Sequence, residues 1–366
     1  MAAFAVLWAV MAGCARPGAP KQDAVTLAPT PFPVPIVELH GAAAAIGAAH
    51  GQRLGEPIRG LMHDYLGRYF ESDFQRNIAL YVAAGFERFL APEHLAEVRA
   101  MALGAGVEQR EAMLGQCFLD LSAMTACSTV ALPASASPDG VARFGRNLDF
   151  PSFNIVDDDT VLLIVRGDGG RYGYASVAWP GVLGVLSGMN EHGLALANME
   201  VQRPRLLPMA MPYTLLYRTV LERCKTVEEA IALLEKTPRQ TANNLMLMDS
   251  TGDRAVVEIT PQSLAVRRAP ADAALISTNH QRGGDLDSSG FCPRYDVLHD
   301  ESADGFGKVT VEKLEQMLGA AAQGKKTLQS MVFEPSNRVI YLAVGANAPT
   351  KGYHRLESKK YFAGPV

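Results

Sequence analysis

Apolar positions recur at two different periods along this chain, and the change between them is abrupt. From about Gly41 to Met124 the spacing is mainly helical, with Ile58, Leu61, Met62, Tyr65, Leu66 and Tyr69 falling on one face. Glu93–Leu103, with Pro92 just ahead, and Glu111–Leu121 predict two further helices. Ile36–Leu39 is a short strand before them, and the segment carries almost no other strand signal. After Cys127 the texture becomes that of short strands. They are predicted at Thr129–Leu132, Ala142–Asn147, Thr160–Arg166, Arg171–Ala178, Val182–Met189 and Leu194–Met199. Turns such as Gly167-Asp168-Gly169-Gly170 and Glu191-His192-Gly193 join several of them. Helices return at Tyr213–Cys224 and Val227–Glu235, and strands at Leu245–Asp249, Ala255–Thr260, Ser263–Arg267 and Ala274–Thr278. A last helix, Val311–Ala321, precedes the hairpin Leu328–Phe333 and Arg338–Val344. Consecutive hairpins with helix pairs between them predict an α+β fold of antiparallel sheets faced by helical layers.

Composition narrows the class. The 366 residues are 48% hydrophobic and 20% charged, enough for a sizeable core. A net charge of −4 and no block of Lys or Arg argue against nucleic acid or an anionic membrane surface as the main partner. Met1–Gly13 is uncharged, mostly apolar and too short to span a bilayer. It reads as the core of a secretory signal. The ending Met11-Ala12-Gly13-Cys14 resembles a bacterial lipoprotein signal, so residues 1–14 are assigned to it, with Cys14 as the lipidated residue. A simple secretory signal or an apolar tail is the alternative. The prolines at 17, 20, 29, 31, 33 and 35 make 15–35 a stiff, extended linker. The expectation is an exported protein of the bacterial cell envelope, in contact with a membrane only through a lipid anchor, or else secreted. The five cysteines show no zinc or redox spacing, and Cys117 and Cys224 sit in apolar helical patterns where a buried structural thiol is the default.

Cys127 stands apart. Cys127-Ser128-Thr129-Val130-Ala131-Leu132 leads to the turn Pro138-Asp139-Gly140 and then to Gly145-Arg146-Asn147-Leu148-Asp149-Phe150. A hairpin centred on that turn sets residue 150, give or take a couple, opposite Cys127. Arg146 and Asp149 then arrive beside the thiol. A free thiol has a pKa near 8.5, so a nucleophilic Cys needs something to lower it or a base. No clear Cys/His pair is present, and no His pair has metal-ligand spacing. One base needs no His. If the Ala126–Cys127 bond is cut, Cys127 gains its own α-amine, of pKa about 7.7–8.0, which can take the thiol proton. Ala126 is small and offers little obstruction. Residues 36–126 would then be a helical pro-segment that becomes a separate chain, and 127–366 the catalytic part.

Five motifs in order give this pattern a resemblance. Cys127-Ser128-Thr129, Gly145-Arg146-Asn147-Leu148-Asp149, Gly188-Met189-Asn190-Glu191-His192-Gly193-Leu194, Thr278-Asn279-His280 and Asn337-Arg338 run as in the acyl-CoA:6-aminopenicillanic acid acyltransferase family. That family is a cysteine branch of the N-terminal nucleophile hydrolases, related to choloylglycine hydrolase, penicillin V acylase and acid ceramidase. Val37-Glu38-Leu39-His40-Gly41 and Gly51 resemble the family's pro-segment. The resemblance implies a four-layer αββα sandwich of two antiparallel sheets and self-cleavage between Ala126 and Cys127. It implies hydrolysis or transfer of an acyl group, most often from an amide, with no metal or redox cofactor.

Each assigned role has a plainer reading. Cys127 is the expected nucleophile, or a buried structural thiol. Asp149 would hold the new α-ammonium, and Arg146 would favour the thiolate or anchor a substrate; together they could be an ordinary strand-end ion pair. The resemblance makes Asn198 and Asn279 oxyanion donors, where the alternative is an Asn bonding its own backbone. It makes Arg338 a late active-site cation, where the alternative is a residue following the turn Pro335-Ser336-Asn337. The expected partner is a small N-acyl compound, and the cut pro-segment is expected to stay bound as a second chain. A different class, a non-catalytic envelope lipoprotein keeping the fold as a binding body, predicts an uncut chain.

Overall fold

In a computed structural model of the chain, the described residues are 32–122, 125–202, 210–286 and 290–363. Cys14, residues 1–14 and most of the 15–35 linker lie outside them. The first half is helical after one strand, β1 (Ile36–Gly41). Next come α1 (Ala43–Arg53), α2 (Gly55–Gly60), a π-helical turn at Leu61–Tyr65, α3 (Leu66–Tyr69), α4 (Asp73–Ala84), α5 (Pro92–Ala105) and α6 (Gln109–Leu121). Gly47 and Gly51 let α1 lie directly on α5: a Cβ at either would sit 2.2–2.3 Å from the carbonyl oxygens of Glu97 and Met101.

The chain then enters β2 (Ala126–Leu132), β3 (Arg143–Asp149), β4 (Val161–Gly167), β5 (Tyr174–Ala178), β6 (Ser187–Asn190) and β7 (Ala195–Glu200). After α7 (Tyr213–Arg223) and α8 (Val227–Lys236) come β8 (Asn243–Met248), β9 (Arg254–Ile259), β10 (Leu264–Arg267) and β11 (Leu275–Ser277). Then follow α9 (Pro293–Asp304), α10 (Val311–Ala320), β12 (Thr327–Glu334), β13 (Val339–Val344) and β14 (His354–Glu357). Eight strands form one sheet in the order β1-β4-β5-β6-β7-β8-β9-β10, and six form the other, β11-β2-β3-β12-β13-β14.

The two sheets face each other through β2 against β7 and β8. Helices α7 and α8 lie on the eight-stranded sheet, and α9 and α10 on the six-stranded one. This is the expected α+β fold of layers αββα. Alternation along β2 divides its side chains between two cores. Cys127 and Ala131 enter the large core between the sheets. Val130 and Leu132 enter a smaller one with Leu298, Leu314, Met317 and Leu318 of α9 and α10. No described helix is long and apolar enough to cross a membrane.

Several expectations change. The sheets are antiparallel except for one pair, since β1 joins β4 in parallel. The predicted strand Val182–Met189 shrinks to Ser187–Asn190. Its apolar start is instead a buried loop under α7, held by Leu183 N donating to Gln116 Oε1 at 2.8 Å and Val185 N to Thr214 O at 2.9 Å. An apolar run without alternation does not separate a strand from such a loop. Helix α9 and strand β14 were not foreseen; Leu298 and Ser302 are the only residues of α9 that are buried, so its apolar stripe is faint.

Candidate active site

Cys127 is fully buried on the inner face of β2. The hairpin register sets Leu148 opposite it and Asp149 opposite Ala126, two residues from the turn-centred expectation. A shift of two keeps every side chain on its expected face. Arg146, opposite Thr129, therefore shares the inner face with Cys127, while Asp149 points to the other side. Arg146 is itself fully buried; its Nε donates to Ser187 Oγ at 2.6 Å and its Nη1 to Asn147 O at 2.7 Å. Its Nη2 has no partner.

Strand β11 ends at Ser277, which pairs with Thr129, so the edge groups of Cys127 lie beyond the ladder. Side chains take the place of the missing strand. Asn279 Oδ1 accepts the N–H of Cys127 at 2.8 Å. Arg294 Nη1 donates to the carbonyl of Cys127, and both its Nη atoms donate to Asn279 Oδ1 at 3.1 Å. Asn279 Nδ2 in turn donates to Glu200 O at 2.7 Å and Thr125 O at 3.2 Å. Glu200 Oε2 accepts both the N–H and the hydroxyl of Thr125 at 3.1 Å. The chain on both sides of the Ala126–Cys127 bond is thus gripped by side chains from β7, the end of β11 and the first turn of α9.

Asp149 sits under this group. It accepts from Thr327 Oγ1 at 2.5 Å and Gln323 Nε2 at 2.8 Å, and its Oδ2 lies 3.7 Å from Arg294 Nη1. Burial pushes its carboxyl above the usual range, against those hydrogen bonds and the charges of Arg294 and Arg146. His280, beside Asn279, is held below its usual range by burial and then by Arg282 and Arg294.

Of the residues singled out in the sequence, Cys127, Asn279, Asp149 and Arg146 come together around β2. Asn198 and Arg338 do not. Asn198 alternates with Ala197, whose partner Ser187 faces Arg146. Its side chain lies instead on the face where Gly188, the partner of Leu196, abuts Leu221 of α7. It is buried there with neither amide atom bonded. Arg338 follows the tip of the β12–β13 hairpin, beyond Glu334, whereas Asp149 meets β12 at Thr327, the other end. Its backbone is left-handed, φ 55°, and its carbonyl accepts from Ser358 N and Oγ, so it closes a turn.

Two residues not singled out in the sequence, Glu200 and Arg294, stand beside Cys127 instead. Glu200 ends the same strand as Asn198, two positions further along, so the hairpin motif pointed to the element that carries it. Arg294 follows Pro293 at the first position of α9, and that Pro was the available signal for a helix start. The Gly188–Leu194 hairpin has a structural use as well: Asn190 Nδ2 ties it to Leu221 O and Cys224 O at 2.9 and 2.7 Å. Among the described residues, no three His, Cys, Asp or Glu are grouped to hold a metal ion.

No curated protein sequence matches this chain. Solved structures with similarity include a mutant conjugated bile acid hydrolase from Clostridium perfringens, 17% identical, covering 64% of this chain and 93% of that one, with a TM-score of 0.46. A Caenorhabditis elegans ortholog of N-acylethanolamine-hydrolyzing acid amidase is also 17% identical, covering 57% and 93%, with a TM-score of 0.46. Penicillin V acylase from Agrobacterium tumefaciens is 14% identical, covering 60% and 82%, with a TM-score of 0.40. Residues 136–290, which hold Arg146, Asp149, Glu200 and Asn279, match the family model of acyl-coenzyme A:6-aminopenicillanic acid acyl-transferase, the family that the ordered motifs resemble.

Proposed function

We propose that the chain is the precursor of a cysteine acyl hydrolase or acyltransferase that frees its own nucleophile by cutting the Ala126–Cys127 bond. The observation that carries this reading is the grip on Cys127: Asn279 on its N–H, Arg294 on its C=O and Arg146 on the same inner face. In the precursor, Cys127 Sγ attacks the carbonyl carbon of Ala126. The C–N bond breaks, the thiol proton ends on the released amine, and a thioester joins Ala126 to Sγ. Water hydrolyses that thioester and returns the thiol, now beside a free α-amine that serves as its base.

The same steps run on an N-acyl substrate. The amine takes the thiol proton, Sγ attacks the acyl carbon, and the proton passes to the leaving amine. Water or an acceptor amine then takes the acyl group from sulfur. Arg146 favours the thiolate on the inner face. Asn279 Nδ2 now donates to Thr125 O, and withdrawal of the new chain end leaves that N–H for an oxyanion. The same withdrawal opens a thiol that is completely covered in the uncut chain.

Purified wild type is expected to run as two fragments, the larger beginning Cys-Ser-Thr by Edman reading, while Cys127→Ala stays whole. Mass spectrometry after exposure to a panel of N-acyl compounds reads the acylated residue and acyl preference. A wild type that stays whole and unlabelled at neutral pH overturns the reading and favours a binding body. Export through a lipidated Cys14 is read separately: Cys14→Ser is expected to abolish incorporation of labelled fatty acid.

A further inference from the structure

The reach of Asn279 into the site depends on a turn that has little secondary structure of its own. Residues 278–283 leave β11 and cross toward the eight-stranded sheet. Side chains of that sheet hold the backbone of the turn at successive points. Asn244, fully buried on β8, donates from its single Nδ2 to Thr278 O at 2.9 Å and to His280 O at 2.8 Å. Those are the carbonyls of the two residues on either side of Asn279. Glu258, its register partner on β9 and also fully buried, accepts at Oε2 from Arg282 N at 2.8 Å and Gly283 N at 2.7 Å. Arg267 of β10 joins Glu258 Oε1 at 3.1 Å and donates to Ile276 O at 2.7 Å. A Cβ at Gly283 would lie 3.0 Å from Glu258 Oε2, so the turn packs directly on the carboxylate.

We infer that Asn244 is a positioning residue for the acyl-transfer site, acting through Asn279, with Glu258 holding the far side of the same turn. This rests on the function proposed above. Asn244 reaches the peptide plane that enters Asn279, through Thr278 O, and the plane that leaves His280, so it brackets the dipeptide that carries the Asn279 side chain; its Oδ1 has no partner. Both bonds lie across the gap between the sheets, so one amide group ties the strand end of one sheet to the face of the other. A displacement of about 1 Å at such a site costs as much as 10²-fold in rate.

The test is a double-mutant cycle on the first-order rate of self-cleavage, using full-length protein. Asn244→Ala is expected to slow cleavage by about 10- to 100-fold. In an Asn279→Ala background the same change is expected to cost nothing further, because the residue it positions is gone. A merely structural role would slow both backgrounds by the same factor, and that result overturns the inference. Cleavage of Asn244→Ala at the wild-type rate also overturns it. Should Asn244→Ala fail to fold, Glu258→Gln and Glu258→Ala enter the same cycle. Gln keeps an acceptor for the two N–H groups and is expected to cleave faster than Ala only where Asn279 is present. Wild type that never cleaves nor acylates is a separate outcome: it overturns the proposed function and the positioning role with it.

Discussion

Arg294 does three things within one guanidinium: it holds the Cys127 carbonyl, braces Asn279 and faces Asp149. A planar fork of donors suits this task, and a Lys point charge does not. Arg294→Lys is therefore expected to keep the fold but slow self-cleavage by about 10²-fold, read on a gel time course. Asn279→Asp is expected to lose the N–H that reaches Glu200 O while keeping the acceptor for Cys127 N. At this scale much of the site was legible. The turn Pro138-Asp139-Gly140 between two strand patterns gave the hairpin, and the observed register, two residues from its centre, keeps each residue on its expected face. Glu200 and Arg294 were not legible because their local signals, a strand end and a Pro at a helix start, mark elements and not a site. Their role comes from where the end of β7 and the start of α9 arrive in space.

The elements that precede Cys127 are tied to the rest by buried polar links as well as apolar packing. Arg218 of α7 is bidentate to Glu97 of α5 at 2.8 and 2.6 Å and donates to Glu222 at 2.9 Å, all three being buried. Burial opposes the ionised form of Glu222, yet Arg218 and then His94 hold its carboxyl down at about 2. Removing Glu97 leaves Arg218 paired with Glu222 but two of its buried N–H groups without their acceptor, so Glu97→Ala is expected to cost about 1–3 kcal/mol in denaturant unfolding of the uncut Cys127→Ala chain. In cut protein the same change is expected to release the smaller fragment on gel filtration. Strand β1 and helices α5 and α6 could be read from periodicity. Their integration could not, because Glu97 and Arg218 are far apart in sequence and each looks like an ordinary helix-surface charge.

For the molecule as a whole, acid is the condition that tests this packing. His50 of α1 is fully buried, and its Nε2 accepts the N–H of Gly181 at 3.1 Å. Burial, then the charge of Arg218, lowers its pKa from 6.5 to about 4. The unfolded chain takes up this proton first as pH falls, so stability present above pH 6.5 is lost as pH falls toward about 4. The loss from this group alone is on the order of 3 kcal/mol. His50→Gln, which can still accept from Gly181, is expected to flatten that limb of the stability curve measured by denaturant titration.

β1 enters the eight-stranded sheet from the N-terminal side of the Ala126–Cys127 bond. If that bond is cut as proposed, the sheet is shared between two polypeptides, and refolding changes its molecularity. The precursor folds as one chain whatever its concentration, but the mature protein would have to find its other half again. Its melting temperature is then expected to rise with protein concentration, whereas that of Cys127→Ala stays fixed. Each molecule would have a single unassisted chance to fold, taken before it becomes active.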